Sequence, residues 1–322
     1  MATSTRSADP AADSADAPSP VDGRRPGHGV PVGRRRRTQR AAYLFLLPST
    51  VLLLVFVVYP IGQSAWMSLH DWSYLQSSHR FIGFGNYREL WHDPRFWNAL
   101  RNTLIFTGVT VPVQLLLSLG LATMLLRNTV TNKVVRSVFF FPVISSLATM
   151  AIVWKFLLDP DIGLLSKLIT DLGGPPGGVL QSTTWALPTV MAVSVWKNVG
   201  FTMVILLAGM QDIPESLYEA AAVDGASGRS RLRHITLPGL RQSLLFCAVI
   251  SVIGSLQLFD QVYVMTDSGP LFHTETLVTY MYAQGFTEFR SGYAASIAWV
   301  LFALIMIVST VQLRLFRYRD VD

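Results

Sequence analysis

The feature that most constrains this chain is the gathering of its apolar residues into long runs. Hydrophobic residues make up 51% of the 322 residues and charged residues 14%, whereas soluble domains carry about 25% charged residues. Helical runs of about 20 apolar residues span the hydrocarbon core of a bilayer. Because a helix satisfies its backbone polar groups within its own segment, the pattern predicts an all-α polytopic membrane protein.

Six such runs follow one another along the chain. Aromatic side chains, among them Trp72, Trp185 and Tyr293, lie near their ends, as in the aromatic belts at membrane surfaces. We therefore expect six transmembrane helices embedded in lipid. They are predicted to cover residues 41–69, 97–126, 134–158, 185–210, 240–265 and 293–316.

The distribution of Lys and Arg predicts the orientation of these helices. With the N-terminus in the cytoplasm, 18 of these residues fall on cytoplasmic segments and 6 on the outer loops and their edges. Cytoplasmic loops of membrane proteins carry such an excess, so we expect both the N and the C termini in the cytoplasm. The same bias explains the sequence pI of about 9.6 without a nucleic-acid partner.

Residues 1–40 differ from the rest of the chain. They are rich in Ala, Pro, Ser and Asp and end in an arginine cluster at 34–37 and Arg40, which predicts a disordered, Arg-rich cytoplasmic tail. The arginines favour a topogenic signal, while a twin-arginine export signal and a lipid-headgroup patch remain alternatives. Residues 41–322 are predicted to form one transmembrane domain.

Enzymatic and metal-binding functions are disfavoured by composition. The single cysteine, Cys247, excludes an intrachain disulfide and a cysteine metal cluster, and the six His are scattered. The glycine-rich run 173–178 has no following Lys-Ser/Thr and is predicted to be a turn rather than a phosphate-binding loop. We expect no catalytic residue and no metal ligand, and no filter-like loop indicates an ion channel.

The segment between the fourth and fifth predicted helices, about 211–240, is unusually polar. Asp212 is predicted to cap a short helix, with Glu215 reaching back to it as in a capping box. Gly225 suits the bend at the end of that helix, and a second polar segment leads to Pro238. The residues alone leave two interpretations open: a docking surface for another protein, or an amphipathic connector lying on lipid headgroups.

The spacing in this segment is more specific than its polarity. Glu-Ala-Ala, three residues, Gly, nine residues and Ile-x-Leu-Pro resembles the signature loop of permease subunits of bacterial ATP-binding-cassette importers. The resemblance extends over most of 41–322 and implies the ABC importer type I permease fold. The residues that it implies in coupling to an ATPase are Glu219, Ala220, Ala221, Asp224, Gly225, Ile235, Leu237 and Pro238.

Three further blocks, at 81–87, 196–201 and 259–266, resemble the carbohydrate-uptake branch of this family, in particular the first-type permease of maltose-like and glycerol-phosphate-like systems. The resemblance implies import of a sugar across the bacterial plasma membrane by alternating access, with a non-sugar solute such as glycerol phosphate as the alternative. It implies as partners a second homologous permease, a cytoplasmic ATPase dimer and an extracytoplasmic solute-binding protein. Since this chain has no Walker motif, ATP and Mg would be bound by the ATPase, and the chain itself needs no cofactor.

Polar residues inside predicted spans are candidates for the substrate pathway, because they are costly in a bilayer. One helical face of the fourth span and one of the fifth resemble positions that line the sugar site of maltose-type permeases. Serines in spans also commonly bond to their own helix or pack between helices. The candidates are Ser194, Asn198 and Phe201, and Ser251, Ser255 and Leu258.

Four other polar residues fall within the same two predicted helices: Lys197, Gln257, Asp260 and Gln261. Lys197 is expected near the middle of the fourth span and Asp260 in the outer half of the fifth. Three roles are open for them: an ion pair between Lys197 and Asp260, contact with substrate, and structural contacts between helices.

Overall fold

The protein is described by a computed structural model over residues 45–75, 79–175 and 177–317. The predicted tail at 1–40 lies outside these residues. The chain divides into two units, Met1–Val58 and Tyr59–Asp322. The described part of the first unit, 45–58, is helical and exposed along its length. It is the beginning of helix α1 (Phe45–Ser68), in which Leu54–Val58 forms a π-helical turn.

The described part of the second unit is mostly helical, as predicted. The one strand pair in this part is β1 (His70–Asp71) with β2 (Arg80–Phe81), which are antiparallel. The next helices are α2 (Gly85–His92), α3 (Pro94–Met124), α4 (Val130–Ile144), α5 (Leu147–Leu157), α6 (Leu164–Asp171) and α7 (Ala186–Gln211). The remaining helices are α8 (Glu215–Val223), α9 (Gly228–Gly239), α10 (Arg241–Leu256), α11 (Asp260–Met265), α12 (Leu277–Tyr282), which continues into a π-helical turn at Ala283–Thr287, and α13 (Ser291–Arg317).

Four of these helices are long and apolar enough to cross a membrane unbroken: α1, α3, α7 and α13 over Ser291–Leu315. Two bent pairs could each provide one more crossing: α4 with α5, bent by 100°, and α9 with α10, bent by 70°. The described residues therefore contain four to six candidate spans.

The prediction of one continuous helix over 134–158 is wrong. Pro142 removes one backbone donor near the end of α4, and Ser145 and Ser146 then take extended dihedral angles, with ψ of 145° and 135°. The chain consequently turns sharply between α4 and α5. The fifth predicted helix also ends early, at Leu256, so Asp260 begins the separate short helix α11 instead of lying in the outer half of a long one.

Helix α7 lies at the centre of the bundle. In its most apolar window 67% of the residues are buried, against 28% in α3. Buried side chains occur all around α7, as expected for a helix packed on every side. Its first half joins a cluster with Phe106 and Val262, and its second half joins a cluster with Ala122 and Leu240. The positions of α3 and α10 are therefore set by α7.

Helices α4 and α7 approach each other closely at Gly200. A Cβ atom added there would lie 2.0 Å from the carbonyl oxygen of Phe139 and 2.7 Å from its carbonyl carbon. No side chain can be accommodated at that distance without moving the backbone of α4. Gly200 is therefore required for the contact between the two helices.

Polar contacts hold the loop at 267–276 against the N-terminal end of α3. The guanidinium of Arg95 donates to the fully buried Glu275 carboxylate at 3.0 and 2.8 Å, and lies 4.0 Å from the centre of the Phe272 ring. Burial raises the pKa of Glu275, although the ion pair with Arg95 opposes the rise. The side-chain amide of Asn102 donates to the backbone carbonyl of Glu275 at 3.0 Å.

The N-terminus of α3 is capped by Asp93. Its carboxylate accepts from the Arg95 N–H at 2.9 Å, from the Tyr293 hydroxyl at 2.7 Å and from the Tyr280 hydroxyl. Partial burial opposes ionisation, but these hydrogen bonds together lower the pKa of Asp93. The capping residue thereby joins α3 to α12 and α13.

We expect Gly200→Ala to destabilise the protein by about 3 kcal/mol, because the added methyl group would collide with backbone rather than with a movable side chain. Thermal unfolding in detergent would measure the loss. Gly254→Ala in α10 is the matched control, since a Cβ there meets nothing within 4 Å and alanine favours a helix. Equal unfolding temperatures for the two variants would contradict the close contact.

We expect Glu275→Gln to lower the free energy of unfolding by about 2 kcal/mol, since it weakens charge-assisted hydrogen bonds to a buried group. The control is Glu89→Gln. Glu89 pairs with Arg290 at 2.6 Å, and both side chains are 40% exposed or more, so little stability should be lost there. Thermal unfolding of both variants gives the comparison, and a larger loss for Glu89→Gln would refute the assignment.

Candidate functional site

The polar segment predicted at 211–240 folds as a two-armed hairpin, hereafter the hairpin. Its first arm is α8, which begins at Glu215 with Pro214 in the capping position and without a side-chain cap. The predicted capping box of Asp212 and Glu215 is wrong. Asp212 has helical dihedral angles, φ −80° and ψ −11°, and terminates α7, so its side chain does not reach the start of α8.

The bend of the hairpin is at Gly225, as predicted. Its φ is +68°, a conformation that glycine adopts without a steric penalty. The N–H of Ala226 donates to the Ala221 carbonyl at 2.8 Å and that of Gly225 to the Ala222 carbonyl at 3.1 Å. This pair of bonds is a Schellman motif. A Cβ at Gly225 would meet nothing within 4 Å, so the conformation, not the space, requires glycine.

The second arm, α9, is fastened to the first by side chains. Ser227 accepts from the Ser230 N–H at 3.3 Å and caps the arm. The Arg231 guanidinium donates to the Ala226 carbonyl at 3.1 Å. The hydroxyls of Tyr218 and Thr236 are 3.0 Å apart and join the two arms. The hairpin is therefore a compact unit rather than a loose connector.

The motif residues divide by exposure. Those that are exposed include the charged and small residues Glu219, Ala220, Asp224 and Gly225, together with Pro238; Ala221, Ile235 and Leu237 are half-buried. Ile235 packs on the cluster at the hairpin base. The polar and small part of the motif thus forms a surface, while its apolar part attaches that surface to the bundle.

A groove of about 500 Å³ lies at the base of the hairpin, between the connection from α7 to α8 and the second half of α9. Its lining residues are Gly209, Asp212, Ile213, Pro214, Leu217, His234, Ile235, Pro238 and Gly239. Gly239 contacts Ile213 so closely that a Cβ there would lie 2.7 Å from the Ile213 side chain. The two ends of the hairpin are therefore in close contact at Gly239 and Ile213, beside the groove.

The pathway candidates in α7 have mixed surroundings. Ser194 is buried, and Asn198 donates its side-chain amide to the Ser194 carbonyl at 2.9 Å. Phe201 is 41% exposed. The amide of Asn198 is therefore bonded to its own helix, and its role in a pathway stays a prediction.

The candidates that follow in the chain are also bonded or packed within the protein. Ser255 donates to the Val252 carbonyl of its own helix at 3.1 Å. Ser251 accepts from the side-chain amide of Gln114 at 3.1 Å. Leu258 is buried in the apolar cluster around the first half of α7. Their role in a pathway likewise stays a prediction.

Lys197 is buried and contacts the end of α4. Its ammonium donates to the backbone carbonyls of Pro142 and Ser145 at 3.0 Å each and of Val143 at 3.4 Å. Among the ion pairs of the described residues none joins Lys197 to Asp260, which is exposed at the start of α11. Lys197 therefore makes a structural contact between α7 and the end of α4, and a contact with substrate stays a prediction.

The two glutamines of the same group differ. Gln257 terminates α10 and is exposed, whereas Gln261 is 1% exposed, and its side-chain oxygen has no hydrogen-bond partner.

Sequence reasoning overlooked Gln114 in α3, although an amide in an apolar run is itself a signal of function. Within the part of the chain that the structure describes, no cluster of three or more His, Cys, Asp or Glu could hold a metal ion.

The fold has clear counterparts among solved structures. Two solved structures of a bacterial ABC transporter that imports alginate align with TM-scores of 0.78 and 0.76, at 22% and 21% identity. They cover 89% and 87% of this chain and 98% and 95% of theirs. One of them is in complex with an alginate pentasaccharide-bound periplasmic protein. The likeness identifies the fold as that of an ABC importer permease.

Curated relatives extend the likeness to sequence. The lactose transport system permease protein LacF of Rhizobium radiobacter is 36% identical, over 84% of this chain and 92% of LacF. The probable ABC transporter permease protein YurN of Bacillus subtilis (strain 168) is 34% identical, over 85% and 95%. The arabinooligosaccharides transport system permease protein AraP of the same strain is 32% identical, over 85% and 88%.

The family model supports the same assignment over most of the folded region. Residues 94–319 match the model described as "Binding-protein-dependent transport system inner membrane component". The matched region contains the whole hairpin and every helix from α3 to α13. The chain is therefore a membrane-embedded transport subunit and belongs to the family of inner membrane components of binding-protein-dependent transport systems.

Proposed function

We propose that this chain is the transmembrane permease subunit of an ATP-driven importer and that it translocates a sugar delivered by an extracytoplasmic binding protein. The observation that carries the proposal is the hairpin. It exposes Glu219, Ala220 and Gly225 on a compact two-armed unit, and a compact surface of small and charged residues suits docking to another protein better than lying on lipid.

The names of the relatives support a sugar as the substrate. LacF and AraP are named for lactose and arabinooligosaccharides, and the aligned structures belong to an importer of alginate. A non-sugar solute such as glycerol phosphate is the alternative. The test is to screen lactose, maltose, arabinooligosaccharides and glycerol 3-phosphate against the cognate binding protein, and then to measure import of the one that binds, with and without this subunit.

The proposed topology has six crossings with both termini in the cytoplasm. It counts each bent pair, α4 with α5 and α9 with α10, as one crossing. The bias of 18 cytoplasmic against 6 outer Lys and Arg residues supports it. The hairpin then lies on the cytoplasmic side, where a cytoplasmic ATPase dimer would contact it.

The proposed mechanism is alternating access in a complex with a second, homologous permease. The ATPase dimer binds ATP and Mg and supplies the energy. In this chain, α8 presents Glu219 as the charged contact and Ala220 and Ala221 as a face that another surface can approach closely. The Gly225 bend sets the angle between the arms, and the packed base around Ile235 transmits displacement of the hairpin into the bundle.

The proposed pathway runs along the faces of α7 and α10 that carry Ser194, Asn198 and Phe201, and Ser251 and Ser255, with Leu258 beyond. Lys197 is assigned a structural role at the bend between α4 and α5 instead. Its ammonium satisfies carbonyls that α4 leaves free at its end, which hydrocarbon could not do.

We expect Glu219→Lys and Gly225→Pro to abolish sugar uptake. The first reverses the charge of the proposed contact. The second imposes a φ of about −65° where the chain has +68°. Loss of one charge-assisted contact should reduce ATPase copurification about tenfold or more, with membrane insertion unchanged. Copurification and uptake by vesicles are the measurements.

The control for Glu219→Lys is Glu215→Lys, which makes the same charge change four residues earlier on α8, at an exposed position outside the motif. It should retain most ATPase binding and uptake. Uptake at the wild-type rate by Glu219→Lys, or equal loss in both variants, would count against a specific docking role for Glu219.

We expect Lys197→Met to reduce both thermal stability and uptake, because it leaves the carbonyls at the end of α4 without a donor. Asp260→Asn should remain active. The charge-swapped double variant, Lys197→Asp with Asp260→Lys, should be as defective as Lys197→Asp alone, since Lys197 contacts carbonyls and not Asp260. Restoration of uptake in the double variant would establish the ion pair and refute this assignment.

A further inference from the structure

Gln114, in the second half of α3, bonds to both helices that carry the hairpin. Its side-chain Nε2 donates to the Thr202 hydroxyl of α7 at 2.8 Å and to the Ser251 hydroxyl of α10 at 3.1 Å. Gln114 is 7% exposed and Thr202 1%. One buried amide therefore joins three helices within the apolar bundle.

The two hydroxyls lie at matching distances from the hairpin. Thr202 precedes the end of α7 at Gln211 by nine residues, and Ser251 follows the start of α10 at Arg241 by ten. At a rise of 1.5 Å per residue these separations are about 14 and about 15 Å. Gln114 is itself ten residues, or about 15 Å, from the end of α3 at Met124. The three residues thus lie at about the same distance from the hairpin end of their helices.

The same three helices are joined a second time at the hairpin base. Leu125 at the end of α3 shares an apolar cluster with Met210 and Leu240. A Cβ added at Gly209 in α7 would lie 2.4 Å from the Ser243 hydroxyl of α10. Helices fastened at two levels about 15 Å apart cannot easily slide or rotate past one another. They should move as one body.

We propose that Gln114 is a positioning residue that makes α3 move with the hairpin. Displacement of the hairpin would then reach the N-terminal end of α3, where Arg95 and Asn102 hold the loop at 267–276. The inference rests on the proposed function of the hairpin as the ATPase contact. It adds a specific mechanical link between the two ends of the molecule.

The hydrogen bonds of Gln114 should affect coupling between the hairpin and α3 more than the free energy of folding. Hydrogen bonds between membrane helices contribute little stability each, and the apolar contacts of α3 with α7 do not depend on Gln114. A variant without the amide should therefore fold and assemble. What it loses is the fixed register of α3 and α10 at the level of Gln114.

The test uses the complete complex in proteoliposomes: both permeases, the ATPase and the binding protein. Import of radiolabelled lactose, maltose or arabinooligosaccharide, whichever binds the cognate binding protein, is measured together with ATP hydrolysis. We expect Gln114→Leu to raise the ATP hydrolysed per sugar imported about tenfold, the effect of losing two ordinary hydrogen bonds. An unchanged ratio, whether or not both rates fall, overturns the inference.

The matched control is Ser118→Ala, one turn further along α3. It removes a 2.9 Å hydrogen bond from Ser118 to the Val199 carbonyl of α7 but leaves α10 joined through Gln114. The ratio should stay near the wild-type value. A rise as large as that of Gln114→Leu would indicate a general effect of lost polar contacts and contradict a specific role of Gln114.

A covalent replacement provides an independent test. Gln114→Cys with Thr202→Cys, a pair outside the proposed pathway, in a Cys247→Ala background, should be uncoupled as free thiols and recover coupling when a short bifunctional thiol reagent bridges the pair. A bridged complex that is arrested or still uncoupled overturns the inference. A wild-type complex that imports none of these sugars contradicts the proposed function instead, so the two failures are distinguishable.

Discussion

Hydrocarbon offers a backbone no hydrogen-bond partner, and many polar contacts in this bundle follow from that constraint. Where α4 ends, the ammonium of Lys197 donates to the carbonyls of Pro142 and Ser145. Where α12 begins, the Thr103 hydroxyl accepts from the Leu277 N–H at 2.9 Å. At both of these interruptions a side chain from a neighbouring helix supplies the missing hydrogen bond. The breaks determine where polar residues are needed.

The hairpin is not under this constraint, because it is largely exposed and its backbone can be hydrated in the proposed topology. Helix α8 has no side-chain cap at its start, and its end is closed by backbone bonds at Gly225. Its side chains are therefore available for contact with a partner. If the proposed partner moves this unit, the movement would pass through its packed base, where Ile213 and Leu240 lie in the same apolar cluster as Met210.

The sequence was sufficient for the existence and order of the main helices and for the bend at Gly225. Apolar length is a strong signal, and a left-handed turn strongly favours glycine. It was insufficient for the break at Ser145 and for the isolated start of α11 at Asp260, since hydropathy does not report dihedral angles. The capping role of Asp212 failed for a similar reason: whether a residue ends one helix or begins the next depends on its backbone conformation.

Polar groups inside the bundle fall into two kinds, and the difference bears on where a solute can pass. The amide of Asn198 and the hydroxyl of Ser255 donate to their own helices, so they can exchange partners without separating helices. Gln114 and Lys197 join different helices, and a solute that took their bonds would have to open the core. The proposed pathway is therefore better lined by Asn198 and Ser255 than by Ser251, which accepts a hydrogen bond from Gln114 of another helix.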